Sequence, residues 1–243
     1  MSGVLTPCLV RGGSGLERVA AGVWRLCGNP GRINVFFLED GEGGVVQFDA
    51  GGRVLLPRIR AALAELGSLR RVVLGHAHTD HRGAAPYLEA PVVCHPDEAG
   101  DAGGPRGRYW NGLRGLPAPQ RWLHRHVLQP RMYDGGPVRV AATVCEGDLV
   151  AGFRVLHLPG HAPGLIALIR DRDGLALTSD AFYTVDAWWR DSAPQLPADA
   201  WNWDTEQARG SLLRLAELDL SVAWPGHGGP VLGDVGRRLR EAL

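Results

Sequence analysis

The chain has 243 residues, 45% of them hydrophobic and 21% charged, and its 26 Lys+Arg balance 26 Asp+Glu. That length supports one sizeable buried core, and a net charge of zero excludes a global field that would recruit nucleic acid or an anionic membrane. The 34 Gly and 17 Pro are dispersed rather than repeated, and no apolar run approaches the roughly 20 residues of a membrane span.

Short apolar runs alternate with helical patterns. GVWRLC (22–27), NVFFLE (34–39) and GVVQFD (44–49) read as sequential strands, the last two joined by a DGEGG turn. RVLLPRIRAALAELG (53–67) has helical spacing and a closing glycine. A strand RRVVLG (70–75), a short helix beginning near His81 and a strand PVVCH (91–95) follow. The segment 100–135 is irregular. Beyond it come strands at 153–158, 165–170 and 175–179, a helix over 204–218, a strand at 221–224 and a last helix from about 233. Meander strands in each half predict two facing sheets with helices outside. With no linker between the halves, a single domain over 1–243 is expected.

Cys8, Cys27, Cys94 and Cys145 form no CxxC pair, so neither a zinc ribbon nor a small disulfide scaffold is indicated. Reduced thiols point to a cytoplasmic protein.

GHAHTDHRG (75–83) concentrates His76, His78, Asp80 and His81. On a helix these positions point in widely different directions, and on a strand position 81 opposes the others. A loop leaving the strand is required if all four converge. Taken alone, the stretch is either a metal-binding loop or a polar turn capped by Thr79 or Asp80. LHLPGHAPG (156–164) sets His161 in a Pro-Gly turn past a strand, LALTSDAFY (175–183) sets Asp180 at a strand end, and VAWPGHGGP (222–230) repeats the turn with His227. Five histidines and two aspartates at the ends of four apolar strands favour metal, because loops over a sheet edge build sites. Such a nitrogen and oxygen set without thiolate suits two divalent ions, zinc first, with iron and manganese as alternatives.

HAHTDH resembles the HxHxDH signature of the metallo-β-lactamase superfamily. His161, Asp180 and His227 match its later ligands in order, and FDAG (48–51) resembles its early Asp-x-Gly motif. The resemblance implies an α/β fold, an αββα four-layer sandwich. It implies a first metal on His76, His78 and His161, a second on Asp80, His81 and His227, and Asp180 as the bridge. Asp49 is then implied as a residue that orients a ligand by hydrogen bonding.

Within the superfamily, Asp180 argues against the β-lactamases proper, and only sixteen residues follow His227, too few for the helical domain with which glyoxalase II grips glutathione. DAFYT (180–184) resembles the D-A-x-Y-T segment of metal-dependent N-acyl-homoserine lactonases. That resemblance implies a catalytic Tyr183 donating a hydrogen bond as an oxyanion forms, with Asp80 orienting the nucleophile and carrying a proton.

The expectation is a dinuclear metal hydrolase that cleaves an activated carboxylic ester, a lactone or an acyl thioester, by attack of a metal-bound hydroxide. The alternatives are a phosphodiesterase of the same fold and an iron-dependent persulfide dioxygenase-like enzyme. A small-molecule ester or thioester, free or carrier-borne, is the expected partner; nucleic acid and membrane are not, and a homodimer stays open.

Residues 105–135 hold six arginines (106, 108, 114, 121, 125 and 131), with no acid between Asp101 and Asp134. The segment reads either as a solvated helix or as a substrate-covering insertion at about 100–135. In the second reading Tyr109, Trp110 and Trp122 meet an acyl chain, the arginines meet an anion, and Trp188 adds to the same pocket, with Trp189, Trp201 and Trp203 as candidate neighbours. His95, His124, His126 and His157 have no partner motif and read as structural.

Overall fold

The computed structural model describes residues 15–26, 32–104 and 117–243. Its strands follow the period-two pattern of the sequence. In β1 (Leu16–Ala20), β2 (Val23–Leu26), β3 (Phe36–Glu39) and β4 (Val45–Phe48), successive side chains go to opposite faces. Phe36, Leu38, Val46 and Phe48 point to one core, and Phe37 and Val45 to another. The chain then crosses over through α1 (Leu56–Leu66) to β5 (Leu69–Val73), which lies parallel to β4. Next come α2 (Thr79–Arg82), β6 (Val92–Cys94), α3 (Pro96–Gly103), α4 (Ala118–Leu123) and β7 (Val140–Thr143). Among the described residues, β1 to β7 form one sheet in sequence order, antiparallel as far as β4 and parallel beyond.

The second half contributes β8 (Leu149–Val150), β9 (Phe153–His157), β10 (Ile166–Arg170), β11 (Leu175–Leu177) and the separate hairpin β12 (Tyr183–Val185) with β13 (Asp191–Gln195). After α5 (Thr205–Ala216) come β14 (Val222–Trp224), β15 (Val231–Leu232) and α6 (Val235–Arg240). The sheet order is β15-β14-β11-β10-β9-β8.

The layers follow from which face each residue takes. Phe36, Phe48, Val73, Phe153, Leu168 and Trp224 fill the space between the sheets, where Phe36 and Trp224 meet edge-to-face at 5.9 Å. Ile59 and Ala62 of α1 cover the outer face of the first sheet, and Leu212 and Leu215 of α5 with Leu239 of α6 cover that of the second. The arrangement is the expected αββα sandwich, the central strands of each sheet buried on both faces.

The described parts of the segment at 100–135, up to 104 and from 117, are largely helical where the sequence reads as irregular. α3 opens on Pro96, which suits a first helical position, and α4 continues into a π-helical run, His124–Tyr133. Pro130 has no amide hydrogen with which to continue an α-helical ladder, and wide π turns recur near functional sites. Tyr109 and Trp110, Arg106, Arg108 and Arg114, and Cys8 and Cys27 lie outside the described residues. Among the described residues, no helix is long and apolar enough to cross a membrane.

Candidate metal centre

Strands β4, β5 and β6 run parallel, and β9, β11 and β14 share a direction within their own sheet, so their C-terminal ends lie along common sheet edges. The loops leaving those ends deliver Asp49, His76, His78, Asp180, His161 and His227, while α2 delivers Asp80 and His81. The two edges are joined directly: the Ile166 amide donates to the Gly75 carbonyl at 2.8 Å, and the Asn34 amide to the Gly226 carbonyl at 2.7 Å. Asp49 and Ser179 hold positive φ, 57° and 46°, a strained backbone of the kind that collects at functional sites. Gly226 has its own reason. A Cβ there would collide with Asp180 Oδ1.

The side chains converge in two adjoining groups, His76–His78–His161–Asp180 and Asp80–His81–His227. In the first, His161 Nε2 lies 2.9 Å from His78 Nδ1 and 3.3 Å from Asp180 Oδ2, and His76 Nε2 is 3.7 Å from that oxygen. In the second, His227 Nε2 lies 3.4 Å from both His81 Nε2 and Asp80 Oδ2. Asp180 Oδ1 is 3.2 Å from His81 Nε2, so this carboxylate faces both groups. Ligands at about 2.0–2.1 Å on a tetrahedral ion stand roughly 3.3–3.4 Å apart, and these separations, from 2.9 to 3.7 Å, bracket that distance.

The imidazoles are also oriented from behind. His81 Nδ1–H donates to Asp49 Oδ2 (2.9 Å), leaving Nε2 facing the group. Asp49 further accepts from Ser179 Oγ (2.8 Å) and from the Gly75 amide (2.7 Å). His161 Nδ1 lies 3.0 Å from Asn202 Oδ1, and Asn202 donates its own amide to the Pro197 carbonyl, which fixes its oxygen toward the ring. His76 Nδ1 is 3.0 Å from Ser179 Oγ.

The electrostatics divide the centre. Burial holds His76 and His78 well below the ordinary imidazole range, reinforced by their histidine neighbours. Burial opposes the charged form of His81 as well, but Asp180, Asp49 and Asp80 outweigh it and raise His81 well above that range. For His227, too, burial opposes the charge, but Asp180 and Asp80 prevail and raise it above the ordinary value. Burial works against ionisation of Asp180, yet His81 and His227 hold it well below the carboxylate range.

The residues fit divalent metal. His76 Nε2 is buried without a hydrogen-bond partner, and a polar atom left so is costly unless something binds it. Buried imidazoles and carboxylates at this density are costly to desolvate unless cations compensate them. Thr79 bonds Gln129 rather than capping α2, so the capped polar turn does not form.

The centre lies against a cavity of about 720 Å³. His78, Asp80, His161, Asp180 and His227 face it on one side, while Leu123, Leu128, Leu196, Trp188, Trp189 and Trp201 form apolar walls. Tyr183 lines it too, its hydroxyl on Asp180 Oδ2. Trp188 lines the cavity, although it is 78% exposed.

Trp122 does not reach it. Gln120, Leu123 and His124 face inward at helical spacing, which turns Trp122 to the other side of α4, 59% exposed and 5.5 Å from the His126 ring. Arg121, Arg125 and Arg131 are likewise absent from the walls. Sequence reasoning missed Asn202, Gln129, Tyr133 and the cavity-lining His124; WNWD held Asn202, but nothing local marked it. His95 and His157 stack at 4.0 Å and 14° beside Asp97. His95 Nδ1 accepts from the Asp97 amide and His157 Nε2 lies 3.0 Å from the Pro163 carbonyl, so both rings have partners within their own turns.

A family model described as the metallo-beta-lactamase superfamily matches residues 28–227. The chain is 28% identical to the probable metallo-hydrolase YflN of Bacillus subtilis, over 92% of this chain and 90% of that one. It is 29% identical to the N-acyl homoserine lactonase AiiB of Agrobacterium fabrum, over 52% and 45%. Among solved structures it resembles the metallo-beta-lactamase family protein TTHA1429 of Thermus thermophilus, with a TM-score of 0.66, 28% identity and coverage of 92% and 79%.

Proposed function

The chain belongs to the metallo-β-lactamase superfamily, and from that premise we propose that it is a dinuclear metal hydrolase of a neutral, activated carboxylic ester carrying an apolar acyl group, a lactone before a thioester. The observation that supports this most is the seven-residue His/Asp centre set against a cavity walled by tryptophan and leucine. One fold hosts many reactions, so the substrate is argued from the site.

His76, His78 and His161 would hold one ion, Asp80, His81 and His227 the other, and Asp180 would serve both. Imidazole and carboxylate donors favour zinc. Bound there, divalent ions lower the pKa of water toward roughly 7 and polarise a carbonyl.

The chain's own residues do the rest. Trp188, Trp189, Trp201 and Leu196 take the acyl chain out of water, at about 0.8 kcal/mol per methylene. Asp80 is side-on to the cavity and partly exposed, ionised under the influence of His81 and His227. It is placed to accept a proton from the attacking water and pass it to the leaving oxygen. Tyr183 keeps its proton, because burial and the charges of Asp180 and Asp80 push it well above the usual phenol range. It can therefore donate a hydrogen bond to the developing oxyanion. No Lys or Arg lines the cavity among the described residues, which favours a neutral ester over a phosphate-bearing one.

The test is metal analysis of the purified protein with a panel of acyl lactones, acyl thioesters, bis-p-nitrophenyl phosphate, nitrocefin and glutathione persulfide. We expect lactones with longer acyl chains to give the highest kcat/KM. Turnover of the phosphodiester with esters untouched would sink the reading.

A further inference from the structure

Glu98 stands in the first turn of α3, next to the centre but outside its ligand set, and is fully buried. Its two oxygens bind two different loops. Oε2 accepts from the Ala77 amide at 2.7 Å, and Oε1 accepts from the Gly164 amide at 2.8 Å. Ala77 lies between His76 and His78, and Gly164 closes the turn that presents His161. One loop leaves the first sheet and the other lies in the second, 66 residues along the chain from Glu98.

We propose that Glu98 is a positioning residue that staples these two loops together and so sets the metal affinity of the three-histidine half of the centre. A carboxylate accepting from backbone amides makes stronger bonds than a neutral acceptor, and it tolerates burial because both oxygens are satisfied. The fit is close. A Cβ on Gly164 would lie 2.8 Å from Glu98 Cγ and 2.9 Å from His95 Nδ1, so the turn must carry glycine for the carboxylate to reach it. The other half has a different support: Asp49 holds His81 from a separate loop. The effect of Glu98 is therefore selective. The inference rests on the metal reading above.

Glu98→Gln tests it, since the amide keeps one acceptor and sets an NH2 group against the second backbone N–H. Chelator-stripped protein is titrated with cobalt(II), following its visible bands and the bound equivalents. The wild type is expected to take two equivalents. The variant should bind one of them about 10–100-fold more weakly, the same equivalent that His161→Ala removes, with the other unchanged. Gly164→Ala should weaken that equivalent as well. Unchanged affinities, or equal weakening of both equivalents, in a folded variant overturn the proposal. Should metal-free Glu98→Gln unfold, the loaded protein is compared by the rate at which chelator strips each equivalent. Faster loss from the three-histidine half supports the role, and equal loss overturns it. A wild-type chain that takes up no cobalt overturns the metal reading, and Glu98 with it.

Discussion

Tyr183 donates its phenolic hydrogen to Asp180 Oδ2 at 2.8 Å, the oxygen that also lies 3.3 Å from His161 Nε2 and 3.7 Å from His227 Nε2. The hydroxyl therefore stands where the two histidine groups meet and opens on the cavity. Tyr183→Phe should lower kcat on the best ester about 10²-fold while both metal equivalents stay bound. Steady-state kinetics with metal counting checks this; unchanged kcat/KM removes Tyr183 from the chemistry.

Metal loading should depend on pH differently in the two halves. In the metal-free protein His81 and His227 hold protons above the ordinary imidazole value of about 6.5, and a metal must displace them. His76 and His78 are already neutral there. As pH falls from about 8 to about 5.5, a window spanning the imidazole range, the Asp80–His81–His227 half should lose metal first. The sign for stability is opposite. The protonated pairs of His81 and His227 stabilise metal-free protein fully below about 6.5, and that contribution fades as pH rises through their raised values. Metal equivalents and apo Tm across this range give the comparison.

Asp49 joins His81, Ser179 and the Gly75 amide while holding φ at 57°. Asp49→Asn keeps a residue type that tolerates this backbone but loses the charge facing His81. It should weaken the second metal about 10–100-fold. Asp49→Ala adds backbone strain of roughly 1–2 kcal/mol, so its Tm should fall further than that of Asp49→Asn. Equal Tm values for the two variants would contradict the strain.

Cys94 is buried, its thiol pushed up to about 12 by burial and the nearby Glu98 charge, whereas Cys145 is exposed. Since the thiolate is the reactive form, peptide mapping after brief iodoacetamide treatment of native protein should find Cys145 alkylated and Cys94 not. Equal labelling would show that the end of β6 beside α3 opens readily.

What was legible in the sequence was local. His76 and His78, His161, Asp180 and His227 each follow a strand within five positions, so period-two alternation and the Pro-Gly turns at 159–160 and 225–226 marked where the candidate ligands emerge, while Asp80 and His81 come from α2. The sandwich was legible for the same reason: Phe36 and Phe37 announce two opposed cores by adjacency alone.

The donor atoms, and with them the kind of ion the centre suits, can be read from the order of residues. What holds those donors in place, and what shape the cavity takes, came from packing. Glu98 acts on loops from both sheets, and Asn202 acts on a ring 41 positions away, so neither contact has a period or a motif to betray it. Trp122 and Trp201 look alike in composition, yet the turn of α4 sends one to solvent while the other lines the cavity. A strand's direction is written in neighbouring residues. The meeting of two sheet edges is fixed by contacts across the whole core.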